Sequence, residues 1–255
     1  MAYRGEAVDL SAVPKSKRAA VLVLLYEKAD GLRVLLTTRA KTLRTHPGQT
    51  ALPGGKMDET DKDIIETAYR EAYEEVGLPR HHPAVQTLCT LRPFIAWTRL
   101  LVTPVLAVLT DLSVLESLKP SQNEVDKIFD HPLEALLDPT LSAKENLVEI
   151  NSELWPSEAE YYNFTDNNWD WLGSAYRMHR FRSSASAIKG LTAEILIMSA
   201  TIAYDRTPSF VWFAPGQLTT FGAMVDALAP GMFTELREPK LAPPAPSEGV
   251  VLGRE

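Results

Sequence analysis

The sequence predicts an α/β domain, and three observations carry that prediction. Ala19 to Tyr26 and Leu32 to Thr38 are short apolar runs separated by the turn-rich Glu27-Lys28-Ala29-Asp30-Gly31, which reads as a β-hairpin. An amphipathic helix then starts near Asp63, because Ile65, Tyr69, Ala72 and Val76 follow helical spacing and Gly77 stands where a C-terminal cap belongs. Beyond it, Val85 to Leu91 and the Val- and Leu-rich Leu100 to Leu109, broken once by Pro104, read as strands that continue the sheet.

Taken in order, the hairpin's second strand delivers Arg39 to its end. Residues 40–55 read as a loop punctuated by Pro47-Gly48 and Pro53-Gly54-Gly55, and its glycines permit close backbone approach to a ligand. In the helix that follows, Glu71, Glu74 and Glu75 fall within roughly a 100° arc, about 130° from the apolar stripe, so their oxygens converge on one point beside the helix. Hard oxygen ligands suit Mg²⁺ or Mn²⁺, which help most where phosphate oxygens must be neutralised. Glu71 and Glu75 form the firmest pair, since i and i+4 lie closest in angle. Arg70 is expected to clamp the preceding loop to the helix by an ion pair.

Residues 124–137, from Glu124-Val125 to Pro132-Leu133 and beyond, resemble a feature of the Nudix proteins, a strand leading through the Pro-Leu into a short helix. From Asp138 to Gly173 runs an acidic, aromatic segment with Trp155, Tyr161, Tyr162, Phe164, Trp169 and Trp171, expected as an insertion or long hairpin whose rings anchor it by packing. Residues 174–206, with Tyr176 to Phe181 and then Ile188 to Ala193, resemble the end of the coenzyme A diphosphatase branch of that family, a strand followed by an apolar helix. The expected organisation is an N-terminal arm over 1–16, one domain over 17–237 with the insertion near 138–173, and a Pro-rich, disordered tail over 238–255.

With 255 residues, of which 45% are hydrophobic, the chain can bury a sizeable core within one domain. The formal charge, 26 minus 33 or −7, comes without a basic block long enough to track a nucleic-acid backbone, so a small polyphosphate is a better partner than a polynucleotide. Cys89 is the only cysteine, which excludes an intrachain disulfide and points to a reducing compartment. The longest apolar runs, such as Ala19 to Leu25, reach about a third of the roughly 20 residues that span a bilayer, so no membrane segment is expected. The N-terminus shows no signal or transit pattern, and Leu252-Gly253-Arg254-Glu255 is not a Ser-Lys-Leu type of address.

Residues 54–78, and Arg70-Glu71-Ala72-Tyr73-Glu74-Glu75-Val76-Gly77-Leu78 within them, resemble the signature box of the Nudix hydrolases, which cleave a nucleoside diphosphate linked to another moiety. The box fits from Arg70 to Leu78, but Gly55 to Arg70 holds one residue more than its general form. Asp61 or Asp63 can therefore serve as the first acidic position, while Lys62 holds the register counted back from Glu71. Upstream, Leu35-Leu36-Thr37-Thr38-Arg39 with Leu43-Arg44, His46, Gly48 and Pro53-Gly54-Gly55 resembles the accessory motif of the coenzyme A diphosphatase branch, which also carries the extra residue.

The resemblance implies a Nudix α/β/α sandwich, a mixed sheet with the catalytic helix on one side and the C-terminal helix on the other. It implies hydrolysis of the pyrophosphate of coenzyme A and its esters to 3′,5′-ADP and (acyl-)4′-phosphopantetheine. A Nudix pyrophosphatase acting on oxidised nucleotides or NADH is the alternative, and a non-catalytic Nudix binding module is a further one. Mg²⁺ or Mn²⁺ would be held by Glu71 and Glu75 with Glu74 close by, and Glu74 or Glu124 would take the proton from water. Arg39 and Arg44 would hold phosphate charge beside Gly54 and Gly55, and His46 would either pin the loop or touch the substrate. Eukaryotic members of this branch are commonly peroxisomal. An intracellular location is expected, the peroxisome on resemblance alone, with cytoplasm and mitochondrion open.

Overall fold

The computed structural model describes residue 10 and residues 13–228, so the Pro-rich tail and most of the N-terminal arm lie outside the described residues. After a 3-10 turn at Lys15–Lys17, β1 (Arg18–Lys28) and β2 (Gly31–Arg39) form the expected antiparallel hairpin. The stretch read as a loop contains two short strands, β3 (Thr50–Ala51) and β4 (Gly54–Lys56). The first pairs with β2, and the second runs flush against β1 because Gly54 has no side chain. Helix α1 (Ile64–Val76) follows, then β5 (Val85–Thr90), β6 (Phe94–Ile95) and β7 (Leu101–Leu109).

A one-turn helix α2 (Ser113–Ser117) leads to β8 (Val125–Pro132), and the short helix expected after it is a 3-10 turn over Leu133–Leu136. A second 3-10 segment, Pro139–Lys144, precedes β9 (Tyr162–Trp169) and β10 (Ser174–Phe181). The chain continues through β11 (Ile188–Lys189), α3 (Gly190–Tyr204) and α4 (Phe221–Ala227).

Among the described residues, β1 to β8 form one eight-stranded sheet, with backbone order β3-β2-β1-β7-β5. It is mixed: β1 and β7 run parallel and the other pairs are antiparallel. Because side chains alternate along a strand, central β1 serves two cores. Ala20, Leu22 and Leu24 meet Ala68, Tyr69, Ala72 and Val76 of α1 on one face. Ala19, Val23 and Leu25 share the opposite core with Ala193, Leu196, Ile197 and Ala200 of α3. Helices on both faces complete the α/β/α sandwich, and burial on both faces explains why β1 and β7 are almost continuously apolar.

A separate three-stranded sheet, β11-β10-β9, takes in Tyr162, Phe164 and Trp169 of the aromatic segment. Trp155 is fully buried and its indole donates to the Ala159 carbonyl at 2.7 Å. Trp169 stacks on Tyr176 with centroids 4.2 Å apart and on Trp171 at 5.4 Å, so these rings pack on one another. Among the described residues no helix is long and apolar enough to cross a membrane.

The approach of β4 to β1 is the tightest fit in the layer above α1. A Cβ on Gly54 would stand 2.3 Å from the Ala20 carbonyl oxygen and 2.7 Å from the Val21 Cα. Both obstacles are backbone, so Gly54→Ala is expected to lower stability by roughly 1–3 kcal/mol, a loss that a thermal melt of the two proteins would register.

Candidate active site

Local sequence fixes α1 at both ends. Asp63 is its N-cap, accepting from the Glu66 N–H at 2.9 Å, and the Glu66 carboxylate reaches back to the Lys62 N–H at 2.7 Å. Gly77 ends the helix in the left-handed conformation, φ 73°, with its N–H turned back to the Tyr73 carbonyl. Tyr69, Ala72 and Val76 are buried against the sheet as their spacing predicts, while Ile65 is only partly covered.

This docking sets Glu71 and Glu75 against β4. The Gly54 N–H donates to Glu75 Oε2 at 3.1 Å. A Cβ on Gly55 would lie 2.5 Å from the Glu71 carboxylate. The glycines expected to admit a ligand thus make room for the protein's own atoms: Gly54 for the β1 backbone and Gly55 for Glu71.

Arg70 binds the 56–61 loop to the helix. Its guanidinium pairs with Asp61 at 2.9 Å, donates to the Lys56 carbonyl at 2.9 Å, and reaches Glu71 at 2.9 Å and Glu74 at 3.1 Å. Asp61 also accepts from the Thr67 hydroxyl at 2.9 Å and from the Asp58 N–H at 2.8 Å. Burial works to raise the Asp61 pKa, but Arg70 and these donors outweigh it and hold the carboxyl at about 2. Of the two acids open for the box's first acidic position, Asp61 is the one that meets Arg70, and Asp63 caps the helix instead. The Asp61 N–H donates to the Asp58 carbonyl at 3.2 Å, closing a turn in this loop.

Arg39 ends β2 at a register shift against β8, between Thr38 and Arg39, where a bulge can re-aim a side chain. Its Nη1 stands 3.9 Å from Glu75 Oε1. Glu124 arrives from a third direction. The Ser121 N–H caps the Glu75 carbonyl of α1 at 2.9 Å, and the Ala40 N–H, next to Arg39, donates to the Glu124 carbonyl at 2.9 Å.

The titration of the acids reports this convergence. Burial pushes Glu71 above the usual carboxylate range, opposed by Arg70 and reinforced by Glu74 and Glu124. Burial pushes Glu75 up to about 7, opposed by the Gly54 N–H and Arg39 and reinforced by Glu71 and Glu124. Among the described residues no three such side chains stand close enough to hold an ion as placed. The set nevertheless fits a hard divalent cation, because its carboxylates are partly desolvated and repel one another, and positive charge offsets that repulsion.

Glu74, expected to converge with its two neighbours, shares the Arg70 Nη1 with Glu71, at 3.1 Å against 2.9 Å. Glu74 is nearly half exposed and lies between Arg70 and Arg80, the latter at 3.5 Å. Arg70 takes one of its carboxylate oxygens and Arg80 the other. Arg44 and His46 are exposed on the loop, and His46 takes a left-handed conformation, φ 53°, ahead of the Gly48 turn.

The model of the NUDIX domain matches residues 16–171. The chain belongs to the Nudix family. "Nudix hydrolase 15, mitochondrial" of Arabidopsis thaliana is 38% identical over 207 residues, which cover 79% of this chain and 64% of that protein. "Peroxisomal coenzyme A diphosphatase NUDT7" of Mus musculus is 29% identical over 195 residues, covering 76% of this chain and 74% of the relative. "Peroxisomal coenzyme A diphosphatase ndx-8" of Caenorhabditis elegans is 38% identical over 139 residues, 52% of this chain and 58% of the relative. The chain thus spans less than two thirds of the plant relative's length.

Asp61 carries a pH prediction. Its folded pKa lies below the unfolded value, so its stabilisation is complete above about pH 4 and is lost as pH falls through about 2. Asp61→Asn should lower stability near neutrality on the order of 2 kcal/mol and flatten that part of the acid limb, as read from melting midpoints across pH.

Proposed function

We propose that the chain is a metal-dependent diphosphatase that hydrolyses the pyrophosphate of coenzyme A and its thioesters, giving 3′,5′-ADP and (acyl-)4′-phosphopantetheine. The observation that carries the hydrolytic reading is the meeting of partly buried Glu71 and buried Glu75, the latter beside Arg39, within the electrostatic reach of Glu124. The substrate class is supported by the upstream motif from Leu35 to Gly55. It is supported too by two relatives whose names state a coenzyme A diphosphatase.

Glu71 and Glu75, with Glu74 close by, would hold Mg²⁺ or Mn²⁺, whose chemistry there is to neutralise diphosphate charge and lower the pKa of bound water. Arg39 donates charge-assisted hydrogen bonds to non-bridging phosphate oxygens, drawn from a guanidinium that Glu75 already orients. Water attacks one phosphorus, the anhydride P–O bond breaks, and the leaving phosphate keeps the bridging oxygen. Glu124 is the better proton acceptor because it is exposed, whereas Glu74 is engaged by two arginines. Glu75 is constrained by the Gly54 N–H, a contact that orients its carboxylate.

Glu75→Gln is expected to lower kcat by at least about 100-fold while the melting temperature stays level or rises, since the change relieves repulsion from Glu71. Near-wild-type turnover would remove Glu75 from the chemistry. Glu124→Gln should lower kcat more than it raises KM, a split that steady-state kinetics resolves.

The substrate is tested by mass spectrometry of products from a panel of coenzyme A, an acyl-coenzyme A, NADH, ADP-ribose and oxidised dGTP. Dominant release of 3′,5′-ADP is the expected outcome. Preference for ADP-ribose or a nucleoside triphosphate would replace the substrate class while leaving the family.

A further inference from the structure

A cleft of about 780 Å³ opens between the loop after β2 and the small sheet, lined among others by Lys41, Trp155, Phe164, Arg180 and Lys189, with Glu153 also on its wall. That volume admits a nucleotide-sized ligand. Arg180 of β10 and Lys189 of β11 are direct cross-strand partners, an arrangement of like charges that costs stability. Arg180 donates to the Thr165 hydroxyl at 3.1 Å, and among the described residues neither cation has a carboxylate within ion-pair distance. On the same strand Arg177 is paired with Asp166 at 2.8 Å, so the small sheet does neutralise an arginine elsewhere.

Lys189 is only partly exposed, and burial together with Arg180 lowers its pKa. It is also the N-cap residue of the 15-residue helix α3, and no side chain caps that end, which leaves helix N–H groups and the positive end of the dipole beside the two cations. Glu153 answers only Lys41, at 3.8 Å, and both are largely exposed. The opposite wall includes Gly48 and Gln49, whose backbone groups bond to those of Arg39 at 3.1 and 2.9 Å. One loop therefore connects the cleft to the candidate active site.

We propose that this cleft is a second anion subsite, in which Arg180 and Lys189 hold a phosphomonoester of the substrate apart from the diphosphate that is cleaved. The assignment to a substrate rests on the diphosphatase reading, whereas the unneutralised charge pair does not. A phosphomonoester dianion matches two cations and presents several acceptor oxygens, and the exposed Phe164 ring supplies apolar surface for the group that bears it.

The test is calorimetric titration of the full chain with adenosine 3′,5′-bisphosphate in the presence of EDTA. Wild type should bind, Arg180→Gln and Lys189→Gln should each weaken binding at least about tenfold, and Glu71→Gln should not weaken it. Melting of the two cleft variants is measured first: relief of like-charge repulsion predicts midpoints at or above wild type, and a marked fall in both would contradict the unpaired-charge reading. No wild-type binding at millimolar ligand, or binding indifferent to both variants, would overturn the subsite. Loss of coenzyme A turnover with intact bisphosphate binding would instead remove only the proposed substrate. Turnover with cleft variants that bind as wild type would remove only the subsite.

Discussion

The close approach of α1 to β4 is the contact on which the site depends. Gly54 and Gly55 carry no side chain where Ala20 and the Glu71 carboxylate need the space, and the Gly54 N–H anchors Glu75. The apolar stripe of α1 supplies the force, since Ala68, Ala72 and Val76 are fully covered by the sheet. The same helix that buries this stripe must then carry its acids along the edge facing β4. Burial of those acids is therefore a consequence of how the core is packed.

Two acids near the same helix end in opposite electrostatic states. Asp61 is surrounded by Arg70, the Thr67 hydroxyl and the Asp58 N–H, and stays ionised down to about pH 2. Glu75 receives one backbone donor and a more distant Arg39, so desolvation dominates and its pKa rises to about 7. The first acid is spent on holding a loop to a helix. The second keeps unmet demand for positive charge, which is the property a site for diphosphate chemistry requires.

Much of this was legible in the sequence because it is local. The hairpin turn, the Asp63 and Gly77 caps and the 3.6-residue stripe each act over a few residues, and β1, β2 and α1 form where those signals stand. The pairing of Glu71 with Glu75 follows from helix geometry alone. What depends on contacts between distant segments was not legible: the Arg80 contact to Glu74, the glycines serving β1 and Glu71, and which of Asp61 and Asp63 would answer the expected Arg70 clamp. The register of β10 on β11, which sets Arg180 beside Lys189, likewise arises only in three dimensions.

The central claim is that Glu71 and Glu75 form a divalent-cation site built by the α1–β4 contact. Electron paramagnetic resonance of Mn²⁺ titrated into the protein tests it without reference to any substrate. Wild type should deplete the free-ion signal with saturable binding, and Glu71→Gln/Glu75→Gln should leave it undiminished while retaining its fold. Equal Mn²⁺ binding by both proteins would contradict the account.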